Sequence, residues 1–275
     1  MSRTNPKKLI EASSGAVGAF NVILLEHAEA YVAAAEKTNT GLVLQISENC
    51  VKYHGVLAPI AKASLALVES TKVPISIHLD HAEDIELVQE ALDLGFDSVM
   101  FDGSKLDYAN NVTTSKKVAE LCRQYGATIE VELGEIGGKD GVHAPGVRTN
   151  PKEAKKFYEV TGVDLLAVAV GSSHGQISRE TKLDIDLIEE IAATVPIPLV
   201  LHGSSGVSDS EIQAAIRAGM KKINIATHLN HVFSDSVREA LGSDAKLVDP
   251  RKYFKPARDA VTEETARLIK LLALQ

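Results

Sequence analysis

The sequence predicts an α/β fold, a (β/α)8 TIM barrel with an extra C-terminal helix, on three observations. Eight short apolar runs alternate with eight helical segments along the chain. Most of the short runs are continuously apolar, as expected for parallel strands that are buried on both faces. The chain has 275 residues, and barrels of this class typically have about 250.

The eight predicted strands are short, and the helical segments between them are longer. The strands cover residues 17–21, 42–47, 75–79, 98–101, 128–133, 165–170, 199–202 and 222–225. The helices cover residues 26–37, 57–71, 83–94, 108–125, 151–161, 185–194, 209–218 and 228–241, and a last helix at 256–274 follows the eighth unit. Ser208 and Glu211 match a capping box before the seventh helix. No Pro-, Gly- or Ser-rich linker divides the chain, which predicts one domain over residues 1–275.

Composition narrows the partners and the compartment that we expect. The net charge is −8 and no basic patch is interleaved with aromatic residues, so we expect no nucleic-acid partner. No apolar run approaches the roughly 20 residues that span a membrane, so we expect no membrane partner. Cys50 and Cys122 lie far apart and no segment resembles a signal peptide, which predicts a reducing, cytoplasmic location.

The C-terminal ends of the predicted strands are polar, whereas the opposite ends carry mostly Ala, Leu, Val, Pro or Lys. Active sites of TIM barrels lie at the C-terminal ends of the strands. This asymmetry therefore predicts an active site at that end of the barrel. The polar residues there are Asn21, Ser47, Asp80, His81, Asp102, Glu132, His174, His202 and Asn224.

Three of these residues are histidines from different strands: His81, His174 and His202. Three neutral imidazoles with an open fourth position make a catalytic zinc site, so we predict a bound Zn²⁺; the same ligands also suit cobalt and iron. Asp80 has two interpretations, because it can orient an imidazole or carry a proton beside the metal. His78 lies earlier on its strand, and the pattern leaves open whether it supports the metal ligands or is structural.

Two segments after the seventh and eighth strands are candidates for phosphate binding. They are Gly203-Ser204-Ser205-Gly206 and Asn224-Ile225-Ala226-Thr227. TIM barrels commonly bind phosphate at this point through backbone N–H groups and a helix N-terminus. After the fifth strand, residues 132–141 are rich in glycine and charge. That composition is typical either of a loop that covers the site or of an ordinary surface loop.

The motifs resemble those of the class II (zinc-dependent) ketose-bisphosphate aldolases, in the branch that contains fructose-bisphosphate and tagatose-bisphosphate aldolases. The resemblance runs over nearly the whole chain. The matching motifs, in chain order, are Ala19-Phe20-Asn21, His78-Leu79-Asp80-His81, Met100-Phe101-Asp102-Gly103-Ser104, Glu132-Leu133-Gly134, Gly137-Gly138, Thr149-Asn150-Pro151, Gly171-Ser172-Ser173-His174-Gly175, Leu201-His202-Gly203-Ser204-Ser205-Gly206, Asn224-Ile225-Ala226-Thr227 and Asp249-Pro250-Arg251-Lys252-Tyr253.

The resemblance implies a role for each matched residue. His81, His174 and His202 would bind the zinc, Glu132 would lie near an alternate metal position, and Asp80 would accept and return the proton at the C4 oxygen. Asn224 would also contact the enediolate. Dihydroxyacetone phosphate would be held by Gly175, Gly203, Ser204, Ser205, Asn224, Ile225, Ala226 and Thr227, with Asn21 as a further substrate-binding candidate and with Ser47 and Arg251 at the second phosphate. Main-chain oxygens near Ser173, Gly175, Gly203 and Ser205 would bind a monovalent cation, Na⁺ or K⁺.

One loop departs from the family pattern. Family members usually continue Gly-Gly with Gln or Glu and then Glu-Asp, whereas this chain reads Gly137-Gly138-Lys139-Asp140-Gly141. The family glutamate that moves the proton at the enediolate carbon has no direct counterpart. Asp140, with its shorter side chain, is the candidate for that role. Family members are usually dimers or tetramers, which implies a homodimer or homotetramer.

The sequence therefore predicts a zinc-dependent aldehyde-lyase that reversibly cleaves a ketose 1,6-bisphosphate, foremost fructose 1,6-bisphosphate, into dihydroxyacetone phosphate and glyceraldehyde 3-phosphate. Alternatives are an aldolase for tagatose 1,6-bisphosphate or another phosphorylated ketose, and a non-catalytic barrel that binds sugar phosphates. A zinc-dependent hydrolase on the same fold also stays open, because zinc and an aspartate suit water activation. Such hydrolases usually have His-x-His on the first strand, where this chain has Ala19-Phe20-Asn21. A Schiff-base aldolase needs a lysine inside the barrel at a strand end, but the sixth strand has none, and Lys221 and Lys222 lie at the start of theirs.

Overall fold

A computed structural model of the protein describes residues 3–136, 147–176 and 178–275. Eight parallel strands form a closed barrel in chain order, and the last strand pairs with the first. This closed parallel barrel confirms the predicted (β/α)8 fold class. The strands are β1 Val17–Asn21, β2 Leu42–Ser47, β3 Ile75–Ala82, β4 Ser98–Phe101, β5 Thr128–Leu133, β6 Leu165–Val168, β7 Leu199–Leu201 and β8 Met220–Ile225.

Helices surround the barrel. The predicted extra C-terminal helix packs against the helix that follows β1 and the helix that follows β8. None of the helices in the described ranges has the length and apolar content needed to span a membrane. The helices are α1 Pro6–Ala12, α2 Leu25–Thr38, α3 Glu48–His54, α4 Ala58–Ser70, α5 Ile85–Asp93, α6 Tyr108–Tyr125, α7 Pro151–Thr161, α8 Ile185–Thr194, α9 Asp209–Ala218, α10 Thr227–Ser243 and α11 Pro250–Leu272.

Several element boundaries differ from the predicted ones. Strand β3 continues to Ala82, β6 and β7 end at Val168 and Leu201, and β8 begins two residues earlier than predicted, at Met220. Helix α11 begins at Pro250 and not at residue 256, because the side chain of Asp249 caps its first turn and proline is favoured at the first helical position. The second proline lies inside the helix, where it removes one backbone donor without ending the helix.

Two short helices, α1 and α3, were not predicted. Each is capped by a side-chain oxygen: that of Asn5 accepts from the N–H of Lys8, and that of Ser47 accepts from the N–H of Cys50. Helix α1 closes the N-terminal end of the barrel, where Leu9 packs in one apolar cluster with the first two strands. Helix α3 begins directly after the C-terminal end of β2 and therefore lies at the mouth of the barrel.

The barrel interior changes from apolar to polar along the strands. Alternate residues of a strand share one face, and the inward-facing residues near the N-terminal ends are apolar, with Val17, Ala19 and Val43 in one cluster and Leu165, Ala167 and Val200 in another. Nearer the C-terminal ends lies a layer of completely buried polar side chains: Gln45, His78, Glu130 and Lys222. The main apolar core lies between the outer face of the barrel and the helices.

Candidate active site

A cavity of about 260 Å³ opens at the C-terminal ends of the strands, where the polar strand ends predicted the active site. Twelve predicted site residues line this cavity: Asn21, Ser47, Asp80, His81, His174, Gly175, Gly203, Ser204, Ser205, Asn224, Ala226 and Thr227. Three predicted residues, His202, Glu132 and Ile225, are buried beside it and not on its lining. Asp140 lies outside the described residues.

Arg251 is not brought to this cavity. It lies in the first turn of α11, its side chain is 88% exposed, and it forms an ion pair with Asp249. The basic residues that do line the cavity among the described residues, apart from histidine, are Lys52 and Lys105. Helix α11 begins on the outside of the barrel, so Arg251 lies away from the cavity of its own chain, and its role at the second phosphate stays a prediction.

The three predicted histidines converge. One ring nitrogen from each of His81, His174 and His202 lies within 4.8 Å of the others, as one metal ion requires. The Nε2 atom of His81 is 2.8 Å from Nδ1 of His202. His81 has a backbone φ of +49°, in the left-handed region that non-glycine residues rarely adopt, and β3 shifts its register against β4 at this point. The bulge therefore turns the His81 side chain toward the other two rings.

Carboxylates hold the far side of two of these rings. Nδ1 of His81 is 2.8 Å from Oδ2 of Asp102, and Nε2 of His202 is 2.9 Å from Oε1 of Glu130. When both outer nitrogens donate their N–H to a carboxylate, the two facing nitrogens carry lone pairs and need a proton or a cation between them. Carboxylate–histidine pairs of this kind are typical of zinc sites. The donor set therefore fits the predicted metal.

Glu132 lies on the Nδ1 side of His81, the side that Asp102 also faces. Its Oε2 atom is 4.0 Å from Nδ1 of His81, and its Oε1 atom accepts from the backbone N–H of Ile136. Glu132, His81 and Asp102 form a second group whose ligand atoms lie within 4.8 Å of one another. This geometry is compatible with the alternate metal position that the family resemblance implies.

Asp80 sits next to the histidines with both carboxylate oxygens engaged. Oδ2 accepts from Nδ2 of Asn21 at 2.8 Å, and Oδ1 accepts from Nδ2 of Asn224 at 3.3 Å. Only 3% of Asp80 is exposed, although it lines the cavity. Neither described contact is to an imidazole, so the geometry favours the proton carrier over the ring-orienting residue.

His78 is completely buried one layer below the cavity. Its Nδ1 atom is 2.8 Å from Oγ of Ser98, and its Nε2 atom is 3.9 Å from Oε2 of Glu130. Burial, together with the positive charge of Lys222, holds the pKa of His78 well below its usual value. His78 is therefore a neutral part of the barrel interior, and it belongs to neither group of potential metal ligands in the described residues.

Comparison with known proteins identifies the family of this chain. A family model described as class-II fructose-bisphosphate aldolase matches residues 7–275. The chain belongs to this family. A fructose-bisphosphate aldolase of Staphylococcus aureus (strain Mu50) is 40% identical over 268 residues, which cover 95% of this chain and 94% of the relative.

Solved structures agree with the family assignment. The YdjI aldolase of Escherichia coli K12 has a TM-score of 0.83 and 27% identity, with 98% of this chain and 97% of that chain covered. Fructose-bisphosphate aldolase from Campylobacter jejuni has a TM-score of 0.84 over 98% and 95% of the two chains, and at 21% identity it supports the fold alone. This class-II aldolase is accordingly a lyase.

The two predicted phosphate loops of the aldolase lie side by side. Gly203 has a φ of +65° and leads into a 3₁₀ turn at Ser204–Gly206. The hydroxyl of Ser204 donates to the carbonyl of Asn224, and Oγ of Ser205 accepts from the backbone N–H of His228. Helix α10 begins at Thr227, so its N-terminal N–H groups and positive dipole end face the cavity. This corner suits a phosphate group.

Replacing Gly203 with alanine should destabilise this aldolase by about 3 kcal/mol, because a left-handed backbone and a backbone clash both oppose the new Cβ. That Cβ would lie 2.7 Å from the backbone of Ser173. Gly55 also has a positive φ, but a Cβ there meets nothing within 4 Å, so Gly55→Ala should cost only about 1 kcal/mol. Urea unfolding measures both; equal costs would show that the Gly203 contact with Ser173 is not tight.

A layer of polar residues lies below the site, and of its members only His78 was considered as a supporting residue from the sequence, although a pattern in the sequence pointed to all four. Strand side chains two positions apart share a face. The residue two positions before each of four site residues is polar and completely buried: Gln45 before Ser47, His78 before Asp80, Glu130 before Glu132, and Lys222 before Asn224. The other missed lining residues are Glu48, Asn49, Lys52, Glu83 and Lys105, which follow β2, β3 and β4.

Proposed function

We propose that this class-II aldolase reversibly cleaves fructose 1,6-bisphosphate into dihydroxyacetone phosphate and glyceraldehyde 3-phosphate, with a zinc ion held by His81, His174 and His202. One observation carries the proposal: three imidazole nitrogens converge beside a nearly buried carboxylate, that of Asp80, in a cavity that also contains a phosphate-binding corner. The name of the Staphylococcus aureus relative supports the choice of fructose bisphosphate.

Cleavage of the C3–C4 bond leaves an electron pair on C3, which must be stabilised. A zinc ion on the three histidines would polarise the neighbouring carbonyl and stabilise that negative charge. Asp80 accepts the proton of the C4 hydroxyl as C4 becomes the aldehyde carbon of glyceraldehyde 3-phosphate. The amide N–H groups of Asn21 and Asn224 hold the Asp80 carboxylate for this transfer. In the second half of the reaction C3 gains a proton, and Asp140 stays our candidate for its donor.

The phosphate of the dihydroxyacetone half is assigned to the corner formed by Gly175, Ser204, Ser205, Ala226 and Thr227. Main-chain oxygens near Ser173, Gly175, Gly203 and Ser205 stay our candidates for binding Na⁺ or K⁺. The close approach of Gly203 to the backbone of Ser173 supports this assignment, because it brings carbonyl-bearing segments together. We further propose that the enzyme is a cytoplasmic homodimer or homotetramer, as the family resemblance implies.

The second phosphate of the substrate is better matched by Lys52 and Lys105 than by Arg251. Lys52 pairs with Glu48 at 2.8 Å and Lys105 with Glu83 at 3.0 Å, and all four side chains line the cavity. The Lys52 and Lys105 side chains are 66% and 41% exposed, so solvent and ligand can reach them.

We expect Lys52→Ala and Lys105→Ala each to raise KM for fructose 1,6-bisphosphate by about tenfold, equivalent to about 1.4 kcal/mol. KM for fructose 1-phosphate, which lacks the second phosphate, should change little. Lys62→Ala is the matched control, because Lys62 is an exposed lysine on α4 and does not line the cavity. Equal effects on both substrates would place the second phosphate elsewhere.

A Schiff-base mechanism has little support in this barrel. Lys222 does lie inside the barrel, but it is completely buried, does not line the cavity and forms an ion pair with Glu130 at 2.8 Å. A nucleophilic lysine must reach the substrate carbonyl. Lys222 does not line the cavity and so cannot reach a carbonyl bound there.

The test of the proposed substrate is a comparison of kcat/KM for fructose 1,6-bisphosphate, tagatose 1,6-bisphosphate and fructose 1-phosphate with the purified, zinc-loaded protein. The proposal expects the highest value for fructose 1,6-bisphosphate. A higher value for tagatose 1,6-bisphosphate would make that ketose, which differs from fructose 1,6-bisphosphate in configuration at C4, the preferred substrate. Cleavage of none of the three would favour the non-catalytic sugar-phosphate barrel.

A further inference from the structure

A completely buried ion pair lies at the centre of the barrel, below the cavity, and the proposed chemistry does not use it. Nζ of Lys222 is 2.8 Å from Oε2 of Glu130, and neither side chain is exposed. Burying two charges costs free energy that their attraction often does not recover, so an ion pair of this kind is weak evidence for stability alone. Its remaining contacts indicate a different role.

Lys222 also donates to the side-chain oxygens of two amides. Nζ is 2.8 Å from Oδ1 of Asn224 and 3.4 Å from Oε1 of Gln45. An ammonium group has three donors and no acceptor. It can therefore face only the oxygen end of each amide, and both amide NH₂ groups must point away from it. In the absence of such a group, an amide can turn over and exchange its oxygen and nitrogen.

The two amides lead by separate routes to the same carboxylate. Nε2 of Gln45 donates to Oδ1 of Asn21 at 2.7 Å, and Nδ2 of Asn21 donates to Oδ2 of Asp80. On the other route, Nδ2 of Asn224 donates to Oδ1 of Asp80. The five residues thus form a closed ring of hydrogen bonds that starts from one cation and ends on both oxygens of one anion.

We propose that Lys222 is a positioning residue that sets the direction of every hydrogen bond in this ring, so that two amide N–H groups are always aimed at the Asp80 carboxylate. Glu130 neutralises Lys222 and, through its other oxygen, accepts from Nε2 of His202. The same ion pair therefore also orients one ring of the proposed metal site. This inference rests on the proposed function, in which Asp80 accepts the C4 proton.

The test replaces the ion pair with neutral groups of similar size, in the double variant Lys222→Met/Glu130→Gln. The side chain introduced by Glu130→Gln still offers an oxygen to His202, and no buried charge is left without a partner. The control is Lys221→Met, because Lys221 is the neighbouring lysine on β8 and strand alternation points it away from the barrel interior. Metal content, cooperative urea unfolding and steady-state cleavage of the bisphosphate are measured for each protein.

We expect the double variant to unfold cooperatively and to bind as much metal as the parent, because all three histidines remain. Its kcat should fall roughly 100-fold, equivalent to about 2.7 kcal/mol, while KM changes less than about threefold, because the phosphate contacts are unaltered. When the same two changes are made in the Asp80→Ala variant, they should lower its kcat by only about threefold further, because their effect passes through Asp80.

A double variant with metal bound and kcat within about threefold of the parent would overturn the proposal, as would a full 100-fold loss on top of Asp80→Ala. If the double variant does not fold or loses its metal, Gln45→Met decides, because it breaks one route and leaves the ion pair in place. The proposal then expects about a tenfold loss of kcat with metal retained. Loss of that metal, or unchanged kcat, would contradict it. An inactive parent enzyme would instead contradict the proposed function itself.

Discussion

Replacing Asp80 with alanine should lower kcat for cleavage of fructose 1,6-bisphosphate by about 10³-fold, within the range that general acid–base groups contribute. The carboxylate is nearly buried, lines the cavity and accepts from two amides, so it is placed to receive a proton from substrate and from little else. Metal content should stay at the level of the parent, because none of the described Asp80 contacts is with a predicted ligand histidine.

The Asp80 prediction has a second, more selective consequence. Exchange of a C3 proton between dihydroxyacetone phosphate and solvent does not involve the C4 oxygen, so the Asp80→Ala variant should keep most of this exchange. The control is Asp93→Ala, which removes an exposed carboxylate at the end of α5 and should leave both rates unchanged. Equal losses of cleavage and exchange in Asp80→Ala would assign Asp80 to C3 and not to C4.

Replacing His202 with alanine should remove the metal and about 10³-fold or more of the activity, because a metal ion contributes several kcal/mol to stabilising charge in the transition state. His202 is completely buried, and its two ring nitrogens face His81 and Glu130. Its loss leaves two histidine ligands and also removes the hydrogen-bond partner of Oε1 of Glu130, while Oε2 keeps its ion pair with Lys222.

The matched control for His202→Ala is His54→Ala. His54 is an exposed histidine on α3 whose ring contacts the carbonyl of Ile23, so its loss should change neither metal content nor kcat. The effect of Asp102→Asn should lie between those of His54→Ala and His202→Ala. We expect metal affinity to weaken by about 10-fold to 100-fold, because Asp102 fixes the ring of His81. Full metal content in His202→Ala would contradict the three-histidine site.

The sequence predicted the barrel well because its strands are buried on both faces. A continuous apolar run such as residues 165–170 has few other interpretations when eight short strand-like runs alternate with helical segments. Boundaries were less accurate. The bulge at His81 and the start of α11 at Pro250 depend on tertiary contacts and capping geometry that hydrophobic patterning does not contain.

The predicted site shows a similar division. The residues that line the cavity were found because they end strands, a position that the order of elements fixes. Lys222 was predicted not to be a Schiff-base lysine because it lies early on its strand, and no other role was predicted for it. The structure connects it through Gln45 and Asn224 to Asp80. Strand alternation alone would have placed Lys222 on the same face as Asn224. Arg251 could not be placed, because no periodicity relates the start of α11 to the barrel axis.

The most direct test of a zinc-dependent aldolase is cleavage of fructose 1,6-bisphosphate by the purified protein before chelation, after chelation and after zinc is added back, with metal content measured at each stage. The account predicts that cleavage falls to about 1% or less when the metal is removed and returns when zinc is restored. Undiminished cleavage by protein shown to contain no metal would contradict the account at its centre.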